Sequence, residues 1–200
     1  MSFYSFARTV TVLAAKLCFH IRYEGLEHIP ASGGFILACN HRSNTDPVLL
    51  ANHIKPRVVH YLAKAELQKG PFFTWLFRAL QIIPIHRGTG DASAIEKAMD
   101  CVRQGHILGV FPEGTRSLDG KPLRPKSGLA LIAQQTGADV LPAAISYEGG
   151  PKLRFRKKIT VRFGEVIPNS AMGFTEAKKP SELKYASRLV MEKITEMIEG

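Results

Sequence analysis

The sequence predicts an α/β fold: one domain in which a largely parallel central sheet is flanked by helices. Two observations carry this. Short apolar runs rich in β-branched residues alternate with segments of helical periodicity, the pattern of strand–helix–strand units. The 200 residues also suit one domain with a sizeable core, and no Pro-, Gly- or Ser-rich linker divides them. Apolar residues make up 45% and charged residues 22%, a globular balance that argues against disorder.

The elements follow in order. Residues 1–22, "MSFYSFARTVTVLAAKLCFHIR", predict an amphipathic helix with Phe3, Phe6, Val10, Leu13 and Leu17 on one face. Arg8 and Lys16 interrupt the stretch and no clean cleavage signal follows, so a secretory signal peptide is not expected. No run of about 18 apolar residues occurs, so neither is a transmembrane helix. The helix reads equally as packed on the core or as lying in a membrane interface. Strands are predicted at "GFILAC" (34–39), "VVHYLA" (58–63), "QIIPI" (81–85), "HILGVF" (106–111), "DVLPAAI" (139–145) and "ITVRF" (159–163). Helices are predicted at Pro47 to His53, at Phe72 to Leu80, and at Ala92 to Arg103 behind an Asp91 cap. Two more run from Ser127 to Gln135, ended near Gly137, and from Ser181 to Glu199. Within "PFFTWLF" (71–77), most residues read as core, with an acyl groove as the other use.

The net charge of +10 favours an anionic partner: nucleic acid, a phospholipid surface or a phosphorylated substrate. Cys18, Cys39 and Cys101 form no C-x-x-C pair, so neither a disulfide framework nor a zinc site is suggested, and a reducing cytosol fits best. The basic run "KLRFRKKITVRF" (152–163) fits a nucleic-acid module superficially, but no recognition motif accompanies it, and a strand with a solvated basic face explains it as well.

In a parallel α/β sheet, ligands bind beyond the carboxyl ends of the strands. His41 follows "FILAC" by two residues, Arg87 follows "QIIPI" by two, and "FPEGTRS" (111–117) begins on the last residue of "HILGVF". Three predicted strands thus deliver polar groups to one edge. Asp46 precedes Pro47, a residue favoured at the first helical position, so Asp46 is expected to cap the next helix. A carboxylate so fixed can hold one nitrogen of His41 and leave the other free to take a proton. His41 and Asp46 read also as a plain polar loop with a cap. The following turn adds Gly114, which permits close approach to a ligand, and Arg116, whose fork suits phosphate. Arg87, and Lys126 in "PKSG", are expected to add charge to the same site. There is no G-x-S-x-G elbow, Walker A loop or G-x-G-x-x-G fingerprint. The simplest role for His41 is therefore direct deprotonation of a substrate hydroxyl.

With "NHRSNTDP", "LQIIPIHR", "FPEGTRS" and "VLPAAI" in this order, the sequence resembles the 1-acylglycerol-3-phosphate acyltransferases (lysophosphatidate acyltransferases) among the glycerolipid acyltransferases. The resemblance covers nearly the whole chain after Tyr23, which makes residues 23–200 the acyltransferase domain behind a membrane-associating helix at 1–22. It implies that His41 and Asp46 are the catalytic pair. It implies acceptor binding by Arg87 and by Glu113, Gly114, Thr115 and Arg116, with Lys126 of "KSG" and Pro142 falling where the family has comparable residues. It also implies transfer of a fatty acyl group from coenzyme A or acyl carrier protein to lysophosphatidate, for phospholipid synthesis at the cytoplasmic face of a membrane, with no separate cofactor. One departure is Gln81, where many members carry glycine. Another lysolipid acceptor, or a basic membrane-binding module without catalysis, are the competing readings.

Overall fold

The computed structural model describes residues 3–86, 90–150 and 154–199. Its strands are β1 (Phe19–Glu24), β2 (Phe35–Cys39), β3 (Val59–Lys64), β4 (Ile83–Ile85), β5 (Ile107–Val110), β6 (Val140–Tyr147) and β7 (Lys157–Phe163). They form one sheet in the order β1-β7-β6-β2-β5-β3-β4. The five strands from β6 to β4 run parallel, so their carboxyl ends share one edge. β7 is antiparallel to β6, and β1 is parallel to β7. The starts of β1 and β7 therefore meet that same edge.

The helices are α1 (Phe3–Cys18), α2 (Asp46–Ala51), α3 (Gly70–Ala79), α4 (Ala92–Arg103), α5 (Gly128–Thr136) and α6 (Pro180–Glu199). The central strand β2 explains the two-layer plan. Ile36 and Ala38 pack with residues of α4, α5 and α6, such as Ala98, Leu129 and Val190. Phe35, Leu37 and Cys39 face the other way, toward Ala15 of α1 and Leu49 and Leu50 of α2. A strand covered on both faces must be apolar throughout, which is why "FILAC" shows no alternation. Asp91 caps α4 as expected, its side chain accepting from Ala94 N, and Gly137 ends α5 at φ 68°.

Three expectations are corrected. The N-terminal helix does not reach residue 22. It stops at Cys18, and Phe19–Glu24 becomes an edge strand paired with β7 from Phe19↔Lys157 to Glu24↔Arg162. The cue was there: Phe19, Ile21 and Tyr23 alternate with His20, Arg22 and Glu24, and the inward three pack on the α1–α2 side of the sheet. The aromatic residues of α3 are not core. Phe77 is buried, but Phe72 is 62% exposed, and Phe73 and Trp75 are exposed beside it. α3 lies on the outer flank beside α1, with Phe3 edge-on to Trp75 at 4.7 Å, so only one of its faces meets the body. The segment "QIIPI" yields a strand of only three residues, because Gln81 adopts a left-handed conformation (φ 58°) where α3 ends.

α1 docks through its polar-flanked side. The Tyr4 hydroxyl accepts from Val59 N at 3.2 Å, and Arg8 donates to Arg57 O at 3.1 Å. Its apolar stripe, Phe3, Phe6, Val10, Leu13 and Leu17, faces outward, with Leu17 71% exposed. No helix among the described residues is long and apolar enough to cross a membrane.

Candidate active site

The site starts where β2 ends. Asn40 is buried, and its side chain completes both polar groups of Ile145 on β6. Its Nδ2 donates to Ile145 O at 3.0 Å, and its Oδ1 accepts from Ile145 N at 2.8 Å. The loop carrying His41 therefore leaves the sheet in a fixed direction, as an amide side chain standing in for a strand partner requires.

His41 Nδ1 lies 2.8 Å from Asp46 Oδ2. The same oxygen accepts from the backbone N–H groups of Arg42, at 2.7 Å, and Ser43, at 2.8 Å. Asp46 is 0% exposed, so its carboxylate is held by donors rather than by water. This corrects the expected cap. Thr45 occupies the cap position of α2 without a side-chain bond to the helix backbone, and Asp46 is the first helical residue. Its carboxylate turns back to the two loop amides and so binds the His41 loop instead of the helix end. The other oxygen, Oδ1, accepts from the hydroxyl of Tyr147 at the end of β6. Burial, reinforced by the Asp46 charge, pushes the Tyr147 phenol well above its ordinary range, so it remains a donor.

Phe111 supplies the floor. Its ring stacks on the His41 imidazole, and Tyr61 of β3 lies parallel beyond it at 6.0 Å. The Tyr61 hydroxyl donates to Pro47 O at 3.0 Å, at the start of α2. Ser117 N donates to His41 O at 2.8 Å, which ties the far end of the 111–117 turn to the histidine loop. With Nδ1 engaged and one ring face covered, Nε2 is the remaining nitrogen able to take a proton.

The turn itself needs Gly114. Its φ is 70°, and a Cβ there would meet the Lys126 side chain at 3.0 Å. Lys126 thus lies over the glycine, and its backbone N–H donates to Pro112 O at 2.8 Å. Thr115 and Arg116 are exposed on the same turn. Glu113 is placed differently from its neighbours. It is 3% exposed, with its carboxyl inside rather than toward the cleft, and its Oε2 finds no hydrogen-bond partner among the described residues. Burial pushes this carboxyl up to about 7; the His41 backbone amide and the Arg42 charge oppose the rise, and the Asp46 charge adds to it.

The structure therefore gathers His41, Asp46, Glu113, Gly114, Thr115, Arg116 and Lys126 at the carboxyl edge of β2 and β5. Arg87 lies outside the described residues. Beside the turn is a cleft of about 500 Å³ bounded by Leu62, Ile85, Met99, Phe111, Gly114 and Lys126. A second, apolar cavity of about 270 Å³ lies between α1, α2 and α3, with Tyr61 and Val59 as its floor. Among the described residues no three His, Cys, Asp or Glu side chains converge as metal ligands. Sequence reasoning missed Asn40, Phe111, Ser117 and Tyr147. Asn40, Phe111 and Ser117 lie within the motifs quoted for their neighbours. Tyr147, 101 residues from Asp46, had no sequence cue.

Comparison with known proteins adds the following. A family model described as Acyltransferase matches residues 20–146. The chain is 29% identical over 177 residues to the 1-acyl-sn-glycerol-3-phosphate acyltransferase of Bacillus subtilis, covering 88% of each. It is 35% identical over 137 residues to the lyso-ornithine lipid O-acyltransferase of Pseudomonas aeruginosa, covering 68% of this chain and 50% of that one. The crystal structure of the 1-acyl-sn-glycerophosphate (LPA) acyltransferase PlsC from Thermotoga maritima aligns with a TM-score of 0.73 at 30% identity. That alignment covers 95% of this chain and 77% of that one.

Proposed function

The chain belongs to the acyltransferase family, and from that premise we propose that it moves a fatty acyl group from a thioester to the free hydroxyl of 1-acylglycerol 3-phosphate, giving phosphatidate. The observation that carries this reading is His41: one nitrogen fixed at 2.8 Å on a buried carboxylate, the other without a partner among the described residues, beside a turn that presents Arg116 and Lys126. The names of the Bacillus subtilis and Thermotoga maritima relatives support the acceptor. The Pseudomonas aeruginosa relative supports a different, amino-acid-derived lysolipid. The exposed guanidinium and the lysine laid over Gly114 favour a phosphomonoester, which takes charge-assisted hydrogen bonds from both.

In this reading Nε2 of His41 accepts the proton as the acceptor oxygen attacks the thioester carbonyl. Asp46 stabilises the imidazolium that forms. The tetrahedral intermediate collapses by breaking the carbon–sulfur bond, and the imidazolium returns the proton to the departing thiolate. The new ester and a free thiol are the products. Holding hydroxyl and thioester together supplies much of the acceleration, because the reaction becomes effectively unimolecular. The thioester comes from acyl-coenzyme A or acyl carrier protein.

Both lipids reside in a bilayer, so the protein works as a peripheral or monotopic protein on an anionic membrane surface. The outward stripe of α1 and the exposed Phe72, Phe73 and Trp75 of α3 support this, joined by the Phe3–Trp75 contact into one apolar surface. Arg8, Lys16, Lys69 and Arg78 lie in or beside those helices, and the charge of +10 complements anionic headgroups.

The test is an acyl-transfer assay on the full-length protein in mixed vesicles. Lysophosphatidate and a phosphate-free lysolipid are offered in parallel, each with acyl-coenzyme A and with acyl carrier protein. Transfer to lysophosphatidate is expected. Transfer only to the phosphate-free acceptor, or none with any pair, would overturn the reading.

A further inference from the structure

We propose that Tyr147 is a positioning residue for the His41–Asp46 pair, its hydroxyl clamping the second oxygen of Asp46 so that the first stays aimed at His41. The inference deepens the acyl-transfer reading, since it concerns the same two residues, but it begins from the geometry of Asp46. An ionised carboxylate offers about four lone-pair positions on two oxygens. Oδ2 is crowded, with His41 Nδ1, Arg42 N and Ser43 N all donating within 2.8 Å. Oδ1, among the described residues, has the Tyr147 hydroxyl as its donor.

The asymmetry matters because the terminal torsion of an aspartate is soft. Anchored at Oδ2 alone, the carboxylate plane can swing about that oxygen and carry the lone pair off the His41 nitrogen. A donor on the opposite oxygen fixes the plane. The three Oδ2 donors all belong to the 41–43 loop and move with it. Tyr147 belongs instead to β6, which is paired on both sides and buried along nearly its whole length. It therefore references the carboxylate to the sheet. The phenol is itself held: Thr45 Oγ1 lies 3.4 Å from it, and Ser43 Oγ lies 2.9 Å from Thr45 Oγ1. The other titratable groups that sense Asp46 are Cys39, Tyr61 and Glu113, with Arg42 in the same loop. Of the three that carry an O–H or S–H, none bonds to Oδ1.

The test uses full-length protein with ¹⁵N-labelled histidine. Wild type, Tyr147→Phe and a chain carrying 3-fluorotyrosine at position 147 are compared by turnover and by the downfield proton resonance of the His41 Nδ1–H. In Tyr147→Phe, kcat is expected to fall about tenfold, the effect of losing a hydrogen bond to a charged group, while KM for both substrates stays within about twofold. The Nδ1–H resonance should move downfield or broaden, because Asp46 no longer shares its charge with the phenol. In the 3-fluorotyrosine protein, whose more acidic phenol donates more strongly, the resonance should move upfield with the fold intact. A merely structural role would lower the melting temperature but leave the resonance and the turnover of folded protein unchanged, and that result would overturn the proposal. So would a fluorotyrosine shift in the same direction as the phenylalanine one. The resonance reads the pair whether or not lysophosphatidate is the acceptor, so failure of the acceptor assignment would leave this result distinct.

Discussion

The imidazole of His41 lies flat on the ring of Phe111, with centroids 4.0 Å apart and planes inclined by 18°. Phe111 begins the turn that carries Gly114 and Arg116, so the stack joins the His41 ring to that turn through an apolar contact. It also restricts the imidazole to rotation in its own plane, and the bond to Asp46 removes that freedom too.

The pair should therefore fail as a unit. His41→Ala is expected to lower acyl transfer by at least about 100-fold, the scale of a lost general base. Asp46→Asn should fall comparably, because an amide cannot stabilise the imidazolium. Circular dichroism of each variant checks that the fold survives. A folded His41→Ala protein with turnover near wild type would sink the proposed chemistry.

Arg116 is exposed on the turn and free to meet a phosphomonoester. A charge-assisted contact contributes about 1.5–3 kcal/mol, so Arg116→Ala should weaken use of lysophosphatidate about ten- to a hundred-fold. Kinetics with a phosphate-free lysolipid provide the control. Equal losses on both acceptors would remove Arg116 from phosphate recognition.

Glu113 makes stability depend on pH. Its carboxyl titrates near 4.5 in an ordinary setting and at about 7 in the fold. Between those values the folded protein keeps a proton that the unfolded chain has released. Its contribution is thus fully present below pH 4.5 and is lost as pH rises through 7, an effect on the order of 3 kcal/mol by pH 8. Urea unfolding at pH 5 and pH 8 should show a smaller loss for Glu113→Gln than for wild type. Identical pH slopes would place the protonation elsewhere.

Gln81 holds a left-handed conformation, φ 58°, at the end of α3. An L-residue with a Cβ is strained there by roughly 1–2 kcal/mol, partly offset by the greater freedom glycine has when unfolded. Gln81→Gly is expected to stabilise the fold by up to about 1 kcal/mol. A lower melting temperature would mean that the Gln81 side chain contributes more than its backbone costs.

Membrane docking is expected to need both helices. Phe6, Leu13 and Leu17 on α1, and Phe72 and Trp75 on α3, are exposed and can be changed to serine without opening the core. Either set of changes should reduce flotation with anionic vesicles, and added salt should weaken flotation of the unaltered protein. Unchanged flotation for both variants would move the contact to another surface.

Much of this molecule is local. The strand–helix alternation, the Asp91 cap, the Gly137 stop and the convergence of His41 and the 111–117 turn on one edge are written in short-range patterns, because period, capping and chain direction depend on neighbours in sequence. The two edges of the sheet were less legible. β1 is six residues, half exposed, and its alternation was hidden by the helix that precedes it. α3 carries as many aromatics as a core helix, and only its position beside α1 shows that Phe72, Phe73 and Trp75 face outward.

The sequence by itself determined that a histidine and a carboxylate would sit five residues apart at the sheet's carboxyl edge. Only the tertiary structure decided what that carboxylate does. Asp46 turns away from its own helix, binds the His41 loop and takes its last hydrogen bond from Tyr147, 101 residues on. The structure likewise buried Glu113 while leaving its neighbours Thr115 and Arg116 in solvent. The reason is physical: hydrogen bonding and desolvation depend on which atoms surround a group, and for a side chain at a sheet edge those atoms come from strands far away in sequence.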